Sequence, residues 1–421
     1  MNTPNYKLTK RSCYFAYVAA ASVFVMPPML FATFHETYGI SYTLLGTLVL
    51  INFFTQLSID LIFSFFTKLF NVKLTARIMP LITSLGLLIY ALVPHFAPEY
   101  AYTGLVIGTI VFSIAAGLGE VLISPIVAAV PSETPDRDMS FLHSLYAWGV
   151  LLVVGITTLF IKLFGTERWL YLALLFAALP IISAILFFIS PIPDMDLTSK
   201  DTEHKAARGR GLILCFFCIF LGSAAENVMT NWISVYMETA LSIPKAIGDI
   251  LGLALFAILL GLGRTLYAKY GKNIGKVLLF GMAASAILYV IVGLSPSFVL
   301  AMIACVLVGL SSSMLWPGTL ILMEENFPSP GVAAYALMAA GGDFGASIAP
   351  QLLGIIVDTV SASSAAARIG ESLSLSAEQV GMKCGMLTAA LFPIIGTVLL
   401  IFINKYFKKS RVAQASPLEG E

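Results

Sequence analysis

An acidic residue lies inside a long apolar run at positions 115–131. An ionised side chain at the centre of a bilayer costs about 2.5–3.5 kcal/mol, so this acid, Glu120, needs a partner or a task. Helical spacing places Ser113, Gly117, Glu120 and Ser124 on one narrow polar face. A carboxyl in such a place becomes neutral when it binds a proton. We therefore predict that Glu120 is a proton-binding residue.

A second acid, Glu226, lies in another apolar run. Asn227 and Asn231 fall with it in an arc of about 140° on a helix, and this stripe could hydrogen-bond hydroxyl groups. Trp316 lies beside small residues of a later run. The polar stripe could instead join one helix to another, and the tryptophan could stack on a sugar ring or fill a packing gap. These alternatives stay open at the level of sequence.

Four further polar residues in or beside apolar runs are candidates for a gate or a helix interface: Asp60, Arg264, Asp343 and His143. Asp60 continues a row in which every fourth residue is polar. His143 could relay a proton near physiological pH, although a hydrogen-bonded structural role is the favoured interpretation. Arg264 requires an acidic partner, which the sequence does not identify.

The elements that position these residues are predicted to be transmembrane helices. Of the 421 residues, 58% are hydrophobic and only 11% are charged, with a mean hydropathy of +0.92, whereas a soluble domain is about 25% charged. A span needs about 20 mostly apolar residues. We predict an all-α polytopic membrane protein of about twelve helices, at 12–34, 43–67, 75–94, 102–130, 139–163, 169–189, 211–237, 246–268, 275–294, 297–323, 331–360 and 381–404.

A polar stretch around residue 200 divides the predicted spans six and six. We expect an N-terminal bundle at 1–192, a cytosolic linker at 193–210, a C-terminal bundle at 211–409 and a cytosolic tail at 410–421. The halves also resemble each other, because the Gly-Leu pair at 117–118 and the pair at 309–310 each precede a proline at the same interval. Six spans per half predict a parallel repeat about an axis along the membrane normal.

The distribution of charged residues predicts the orientation of the chain in the membrane and argues against several classes of function. Most of the 24 Lys and Arg residues fall in alternate connecting segments, which predicts that both termini lie in the cytosol. We expect the protein in the cytoplasmic membrane of a bacterium. A net charge of +1 gives no sign of a nucleic-acid partner. The sequence has no P-loop pattern and no catalytic or metal-binding constellation. We expect no enzyme activity, metal or cofactor, and a functional monomer in the lipid bilayer.

Five stretches resemble the major facilitator superfamily, and within it the fucose-permease-like group of proton-coupled sugar transporters. They are Gly117–Glu120 with Pro125, Ser140–Gly149, Glu226 with Trp232 and Tyr236, Gly309–Pro317, and Gly345–Asp358. The resemblance covers nearly the whole chain and implies that the helix 4 acid, here Glu120, serves proton or substrate binding. Sugar transporters of this group also have an Asp on helix 1 before a Pro. The corresponding stretch Ala21–Pro28 contains neither acid nor amide, so fucose specificity is not carried over.

The expected function is secondary active transport of a small polar solute, a sugar or polyol, by alternating access. A proton gradient supplies the energy, through Glu120. The predicted solute contacts are Glu226, Asn227, Asn231, Trp316 and Ser124. Two alternatives stay open: an exporter of small amphipathic compounds, which the aromatic and acid-free first helix suits, and a non-transporting membrane sensor or assembly protein with the same fold.

Overall fold

The computed structural model describes residues 6–66, 71–133, 135–193, 209–327 and 332–415. Within these ranges, side chains are described except at 64, 65, 128, 135–137, 139, 140, 143, 144, 147, 268, 332, 333, 335, 336 and 409–415. Most of the predicted linker at 193–210 therefore lies outside the described residues, and so does the side chain of His143.

The described chain folds into seventeen α-helices with short 3-10 and π-helical turns. A helix is favoured for apolar spans because it satisfies every backbone hydrogen bond within the segment itself. The helices are α1 Lys7–Met29, α2 Phe31–Tyr38, α3 Tyr42–Phe66, α4 Val72–Phe96, α5 Ala101–Ala129, α6 Pro135–Phe164, α7 Trp169–Ile189, α8 Gly209–Val235, α9 Lys245–Gly248, α10 Leu255–Tyr270, α11 Ile274–Leu294, α12 Phe298–Ser312, α13 Pro317–Asn326, α14 Val332–Ser361, α15 Ser364–Leu373, α16 Ala377–Ala389 and α17 Leu391–Ala415.

The predicted spans correspond one for one to apolar helical stretches. Eleven stretches of the described residues are long and apolar enough to cross a membrane, and Trp148–Phe164 is a shorter apolar helix within α6. The prediction of an all-α polytopic protein with about twelve transmembrane helices is therefore confirmed.

Prolines lie at the breaks of three predicted spans, the twelfth of which consists of α16 and α17 with Pro393 in the first turn of α17. α1 ends at Met29, directly after Pro27 and Pro28. The tenth predicted span consists of two helices, because α12 ends at Ser312 and α13 begins at Pro317. Proline suits a first helical position, where its missing N–H has no intrahelical partner to lose. This break places Trp316 at a helix junction.

Two local features depart from a simple row of spans. α8 continues into a π-helical turn at Tyr236–Ala240, and a second π-helical turn at Asp249–Ala254 precedes α10. The sequence prediction also left residues 361–380 without a helix, whereas α15 forms there. Its start is fixed by Ser363, whose hydroxyl accepts a hydrogen bond from the backbone N–H of Ala366 at 3.1 Å.

The chain divides into two compact units. Unit 1 comprises Met1–Thr198 with Ser234–Ala257, and unit 2 comprises Ser199–Ile233 with Ile258–Glu421. The core of unit 1 lies between α1, α4 and α5, where Cys13, Met79 and Leu122 are buried together. The bundle boundaries at 192 and 211 stay a prediction.

Candidate functional site

Glu120 lies within the apolar span of α5, nine residues before its last residue, Ala129. Its side chain is exposed, although the preceding residues Leu118 and Gly119 are buried. It interacts electrostatically with Tyr17 of α1 and with Asp60 of α3. The carboxyl group is therefore accessible on the side of α5 that faces other helices of unit 1.

Asp60 lies where α3 and α5 approach closely. A Cβ atom added to Gly117 would be 3.2 Å from Asp60 Oδ1 and 3.1 Å from the backbone oxygen of Gln56, so glycine allows this approach. Asp60 Oδ1 is buried and has no hydrogen-bond partner among the described residues. Gly117 is also one helical turn from Glu120. The structure thus brings together Asp60 and Glu120, which the sequence interpretation had assigned to separate roles.

A hydrogen-bonded row holds α3 against α5 on the same face. The Ser113 hydroxyl donates to Asn52 Oδ1 at 2.6 Å, and Gln56 Nε2 donates to the same oxygen at 3.0 Å. The three side chains are buried. Buried polar groups that are satisfied in this way fix the relative position of two helices, and here they set the position of Asp60.

Ser124, the predicted solute contact in unit 1, is half-buried one turn beyond Glu120. It forms a side-chain hydrogen bond with Tyr17. The sequence interpretation did not include Tyr17. The sequence does contain a signal for Tyr17, because a tyrosine among the small apolar residues of α1 carries a hydroxyl group that requires a hydrogen-bond partner.

Glu226 forms an ion pair with Arg264 in unit 2. Arg264 Nη2 donates to Glu226 Oε1 at 3.1 Å and to Oε2 at 3.4 Å, and Arg264 Nε donates to the backbone oxygen of Ser313 at 3.0 Å. The Glu226 side chain is 15% exposed, while that of Arg264 is 42% exposed. The arginine that was predicted at a gate or interface therefore contacts a predicted solute-binding residue, and it links α8, α10 and the end of α12.

The two asparagines of α8 lie in a local chain of hydrogen bonds. Asn227 Nδ2 donates to the Ser223 backbone oxygen at 3.0 Å, and Asn231 Nδ2 donates to the Asn227 backbone oxygen at 2.8 Å. Asn227 is half-buried and Asn231 is buried. Both amide groups use an N–H locally, so each has a carbonyl oxygen left to accept a hydrogen bond from a hydroxyl group.

Trp316 is half-buried at the junction of α12 and α13 and packs against Gly342 of α14. A Cβ atom on Gly342 would collide with the indole Nε1, so this glycine makes room for the ring. The next residue, Asp343, is half-buried. Trp232 of α8 has a different environment, because it is fully buried and donates to the Pro350 backbone oxygen at 3.2 Å.

Unit 1 contains a buried charged cluster that the sequence analysis does not predict. The hydroxyl of Ser234 donates to the fully buried Asp249, and Lys245 Nζ donates to Ser234 Oγ at 3.3 Å and to Glu238 Oε2 at 3.4 Å. The sequence signal for this cluster is that three charged residues, Glu238, Lys245 and Asp249, lie at the edges of two apolar runs. Ser234 lies about two helical turns after Glu226 on α8, but its hydroxyl belongs to this cluster.

Comparison with known proteins supplies the family. The sequence profile described as Major Facilitator Superfamily matches residues 13–350. An uncharacterized MFS-type transporter of Yersinia pestis is 26% identical over 267 residues, which are 61% of this chain and 66% of that protein. The alignment thus spans slightly less than two thirds of the relative.

Solved structures share the fold at low sequence identity. The D-xylose–proton symporter has a TM-score of 0.70 and 16% identity, with 92% of this chain and 95% of that chain covered. The E. coli fucose:proton symporter FucP has a TM-score of 0.55 and 13% identity, with 94% of this chain and 99% of that chain covered. These similarities establish the architecture that the sequence resemblance implied.

Proposed function

Because this chain belongs to the Major Facilitator Superfamily, we propose that it is a secondary active transporter that carries a sugar or polyol across the membrane by alternating access. In this proposal a proton gradient drives uptake, and the protein acts as a monomer in the cytoplasmic membrane with both termini in the cytosol and without a cofactor. The family and the multi-pass helical fold support transport. Two sugar–proton symporters share this fold, as does a nucleoside transporter, so the choice of a sugar or polyol rests on the hydrogen-bond acceptors described below.

One observation carries the proton coupling: Glu120 is an accessible carboxyl inside a span and forms no ion pair with any residue that the structure describes. No cation among these residues therefore neutralises it locally. A proton can neutralise it instead, and an uncharged carboxyl is far less costly than an ionised one during a movement that closes it off from water.

The solute contacts that we propose are Glu226, Asn227, Asn231, Trp316 and Ser124. The carboxylate and amide oxygens accept hydrogen bonds from hydroxyl groups. The half-buried indole of Trp316 offers an apolar face to a sugar ring. Arg264 compensates the charge of Glu226, so in this proposal Glu226 is an acceptor for solute hydroxyls rather than the proton carrier.

The first experiment identifies the solute. Purified protein is heated with individual sugars, polyols and organic acids, because a ligand that binds the native state raises the apparent melting temperature. The solute that gives the largest shift is then tested for uptake into proteoliposomes with an imposed pH gradient. Accumulation driven by the gradient supports the proposal. If no member of the panel both binds and accumulates, the assignment to sugar or polyol transport is wrong.

The second experiment locates the proton site. Glu120→Gln is expected to abolish accumulation driven by the pH gradient while leaving exchange of labelled for unlabelled solute intact, because exchange needs no net proton movement. Glu99→Gln removes an exposed acid that precedes α5 and serves as the matched control. A Glu120→Gln protein that still accumulates solute against its gradient would exclude Glu120 as the coupling residue.

A second candidate function is export of small amphipathic compounds. The observation that favours it is an aromatic cluster where α1, α3 and α6 meet, in which the ring centroid of Phe24 lies 6.2 Å from that of Phe53 and 6.0 Å from that of Tyr146. Such a surface suits an apolar ring better than a polyol. Inside-out and right-side-out vesicles separate the candidates. A proton-driven exporter accumulates its compound only in inside-out vesicles with an acidic lumen, where protons leave the lumen as the compound enters.

A further inference from the structure

The polar face of α5 faces a second acid that comes from an unexpected helix. The stretch Ala21–Pro28 of α1 contains no acid or amide, so α1 offers Glu120 no second carboxyl there. α3 does so through Asp60, which interacts electrostatically with Glu120. Gly117 lets α3 approach closely enough that Asp60 Oδ1 lies against the turn that precedes Glu120.

The surroundings of the two carboxyls contain no described counter-charge. From α1, Tyr17 faces Glu120 with a hydroxyl that is hydrogen-bonded to Ser124. From α4, Arg77 forms no ion pair with either acid among the described residues, and its Nε is buried without a hydrogen-bond partner. From α6, Asp138 pairs with Lys10, and the side chain of His143 lies outside the described residues.

Two neighbouring carboxylates that interact without a cation between them repel each other. One bound proton removes that repulsion, because a protonated carboxyl can donate a hydrogen bond to its ionised neighbour. Asp60 Oδ1 is a buried acceptor that lacks a donor among the described residues. Buried acceptors are nearly always satisfied, and a protonated Glu120 would supply the missing donor.

We propose that Asp60 and Glu120 form a single proton-binding unit in which two carboxyls hold one proton between them. This inference rests on the transport function proposed above and adds the second acid that α1 lacks. The proton binds a carboxylate oxygen of the pair when the site opens to one side of the membrane and leaves when it opens to the other. The Asn52–Gln56–Ser113 row acts as the positioning element that keeps Asp60 in register with Glu120.

The test counts protons on the full-length protein without any solute. Infrared difference spectra recorded through a pH titration report the C=O stretch of protonated carboxylic acids. In the wild type, the pair should retain one protonated carboxyl to alkaline pH. In Asp60→Asn, the remaining Glu120 should lose its proton at least about tenfold more readily, since the neighbouring negative charge is gone. Glu120→Gln should have the same effect on Asp60.

Non-additivity is the decisive result. The double variant Asp60→Asn with Glu120→Gln should remove the same single alkaline signal that either substitution removes alone, and Asp60→Glu should retain it. Asp343→Asn removes another carboxyl from a span and should leave the signal in place. Two independent titrations, each unchanged by loss of the other acid, would overturn the proposal. If Asp60→Asn protein does not fold, Glu120→Gln reports on the pair from the other side.

Transport assays distinguish failure of the acid pair from failure of the proposed transport function on which it rests. With the solute found by thermal shift, loss of gradient-driven uptake in both Asp60→Asn and Glu120→Gln supports the pair. Loss in Glu120→Gln alone keeps the transporter and its proton site but overturns the pair. Full gradient-driven uptake in both variants overturns the pair and the proton site together.

Discussion

Glu120 in α5 and Glu226 in α8 are both acids within long apolar spans, but their neighbours differ in charge. Glu226 accepts two hydrogen bonds from Arg264, at 3.1 and 3.4 Å. Glu120 interacts electrostatically with another acid, Asp60, and with no described cation. A carboxylate beside arginine is neutralised permanently, whereas a carboxyl beside a carboxyl depends on a proton for the same purpose.

Under the proposed function, the acids of the two units have different roles. The ion pair of unit 2 presents fixed charges and free acceptor atoms, which suit recognition of a polar solute. The acid pair of unit 1 changes its charge with proton binding, which suits energy coupling. Because Arg264 is 42% exposed, a solute could also exchange hydrogen bonds with its guanidinium group. The following substitutions test whether the two acids really differ in this way.

The largest effect on stability is expected for Arg264→Met. Methionine keeps much of the apolar stem but leaves the Glu226 carboxylate without its partner. Breaking a buried ion pair costs about 3–5 kcal/mol, and partial exposure of Arg264 reduces this to about 2–3 kcal/mol. We expect a clear fall in the melting temperature of the detergent-purified protein, which Glu226→Gln in the same chain partly reverses.

Arg368→Met is the matched control for that substitution, since Arg368 is an exposed residue of α15. It should leave the melting temperature almost unchanged. An equal fall in both variants would mean that loss of any arginine is destabilising, and the ion pair would then have no special role.

The same chemical change at the two acids should have different consequences. Glu226→Gln leaves Arg264 facing an amide and is expected to cost about 1.5–3 kcal/mol, the range for hydrogen bonds to charged groups. Glu120→Gln replaces one acid of a pair that already shares a proton at pH 7 by an amide that can donate the same hydrogen bond, so it should be nearly neutral in stability. Thermal unfolding of the two variants under identical conditions measures the contrast, and equal destabilisation would remove the distinction between the sites.

The sequence predicts the spans well because length and hydropathy are local properties. Pro27-Pro28 and Pro317 also mark their breaks in the sequence itself, since proline lacks the N–H of an intrahelical hydrogen bond, although Pro125 and Pro350 lie inside continuous helices. α15 was missed because a ten-residue amphipathic helix is too short to register as a span. Its start depends on the cap at Ser363, a signal that operates over only three residues.

The candidate site was predictable only in part. The polar faces of α3 and α5 follow from four-residue spacing, and the structure shows both. Their mutual contact does not follow, because it depends on how the helices pack. Arg264 and Glu226 are 38 positions apart, so no local pattern joins them. Sequence reasoning required an acid for Arg264 but had no means of choosing among several.

A smaller effect, which sharpens the acid-pair side of the comparison, is expected at Gly117. A Cβ atom there would lie 3.1 Å from Ile59 Cβ and 3.2 Å from Asp60 Oδ1. Gly117→Ala should therefore push α3 away from α5 at a cost of about 1–2 kcal/mol. It should also separate Asp60 from Glu120 and make the infrared signal of the shared proton disappear at a lower pH.

Gly119→Ala is the control two residues away in the same helix. Its nearest atoms would be Ile123 Cδ1 at 3.6 Å and Met79 Sδ at 4.0 Å, which are ordinary contacts. Alanine is favoured over glycine inside a helix by about 0.5–1 kcal/mol, so this variant should be as stable as the wild type or slightly more stable. If both alanines behave alike, close approach at Gly117 does not determine the spacing of the acids.

The smallest effect is expected at Asp138, a paired acid outside the apolar spans. Hydrogen bonds from Lys10 and Ser132 lower the pKa of Asp138 below its ordinary value. Its contribution to stability is therefore present above the unfolded-state pKa of about 3.9 and is lost as the pH falls through the folded-state pKa. Asp138→Asn should cost about 1 kcal/mol or less at pH 7, because this partly exposed ion pair lies outside the apolar spans, where water weakens the attraction.

The pH dependence of that loss distinguishes an ordinary ion pair from the acids inside the spans. The melting temperatures of wild type and Asp138→Asn should converge as the pH is lowered below the folded-state pKa, because both side chains are then neutral. Raising the salt concentration at pH 7 should shrink the difference as well, since charges at the aqueous end of a helix are screened. Glu226→Gln should keep most of its deficit in high salt, because Glu226 and Arg264 both lie within candidate membrane spans, where screening ions are scarce. If salt removes the stability deficits of Asp138→Asn and Glu226→Gln equally, the Glu226–Arg264 pair behaves as a surface contact. The difference between Glu226 and Glu120 would then depend only on the proposed Asp60–Glu120 pair.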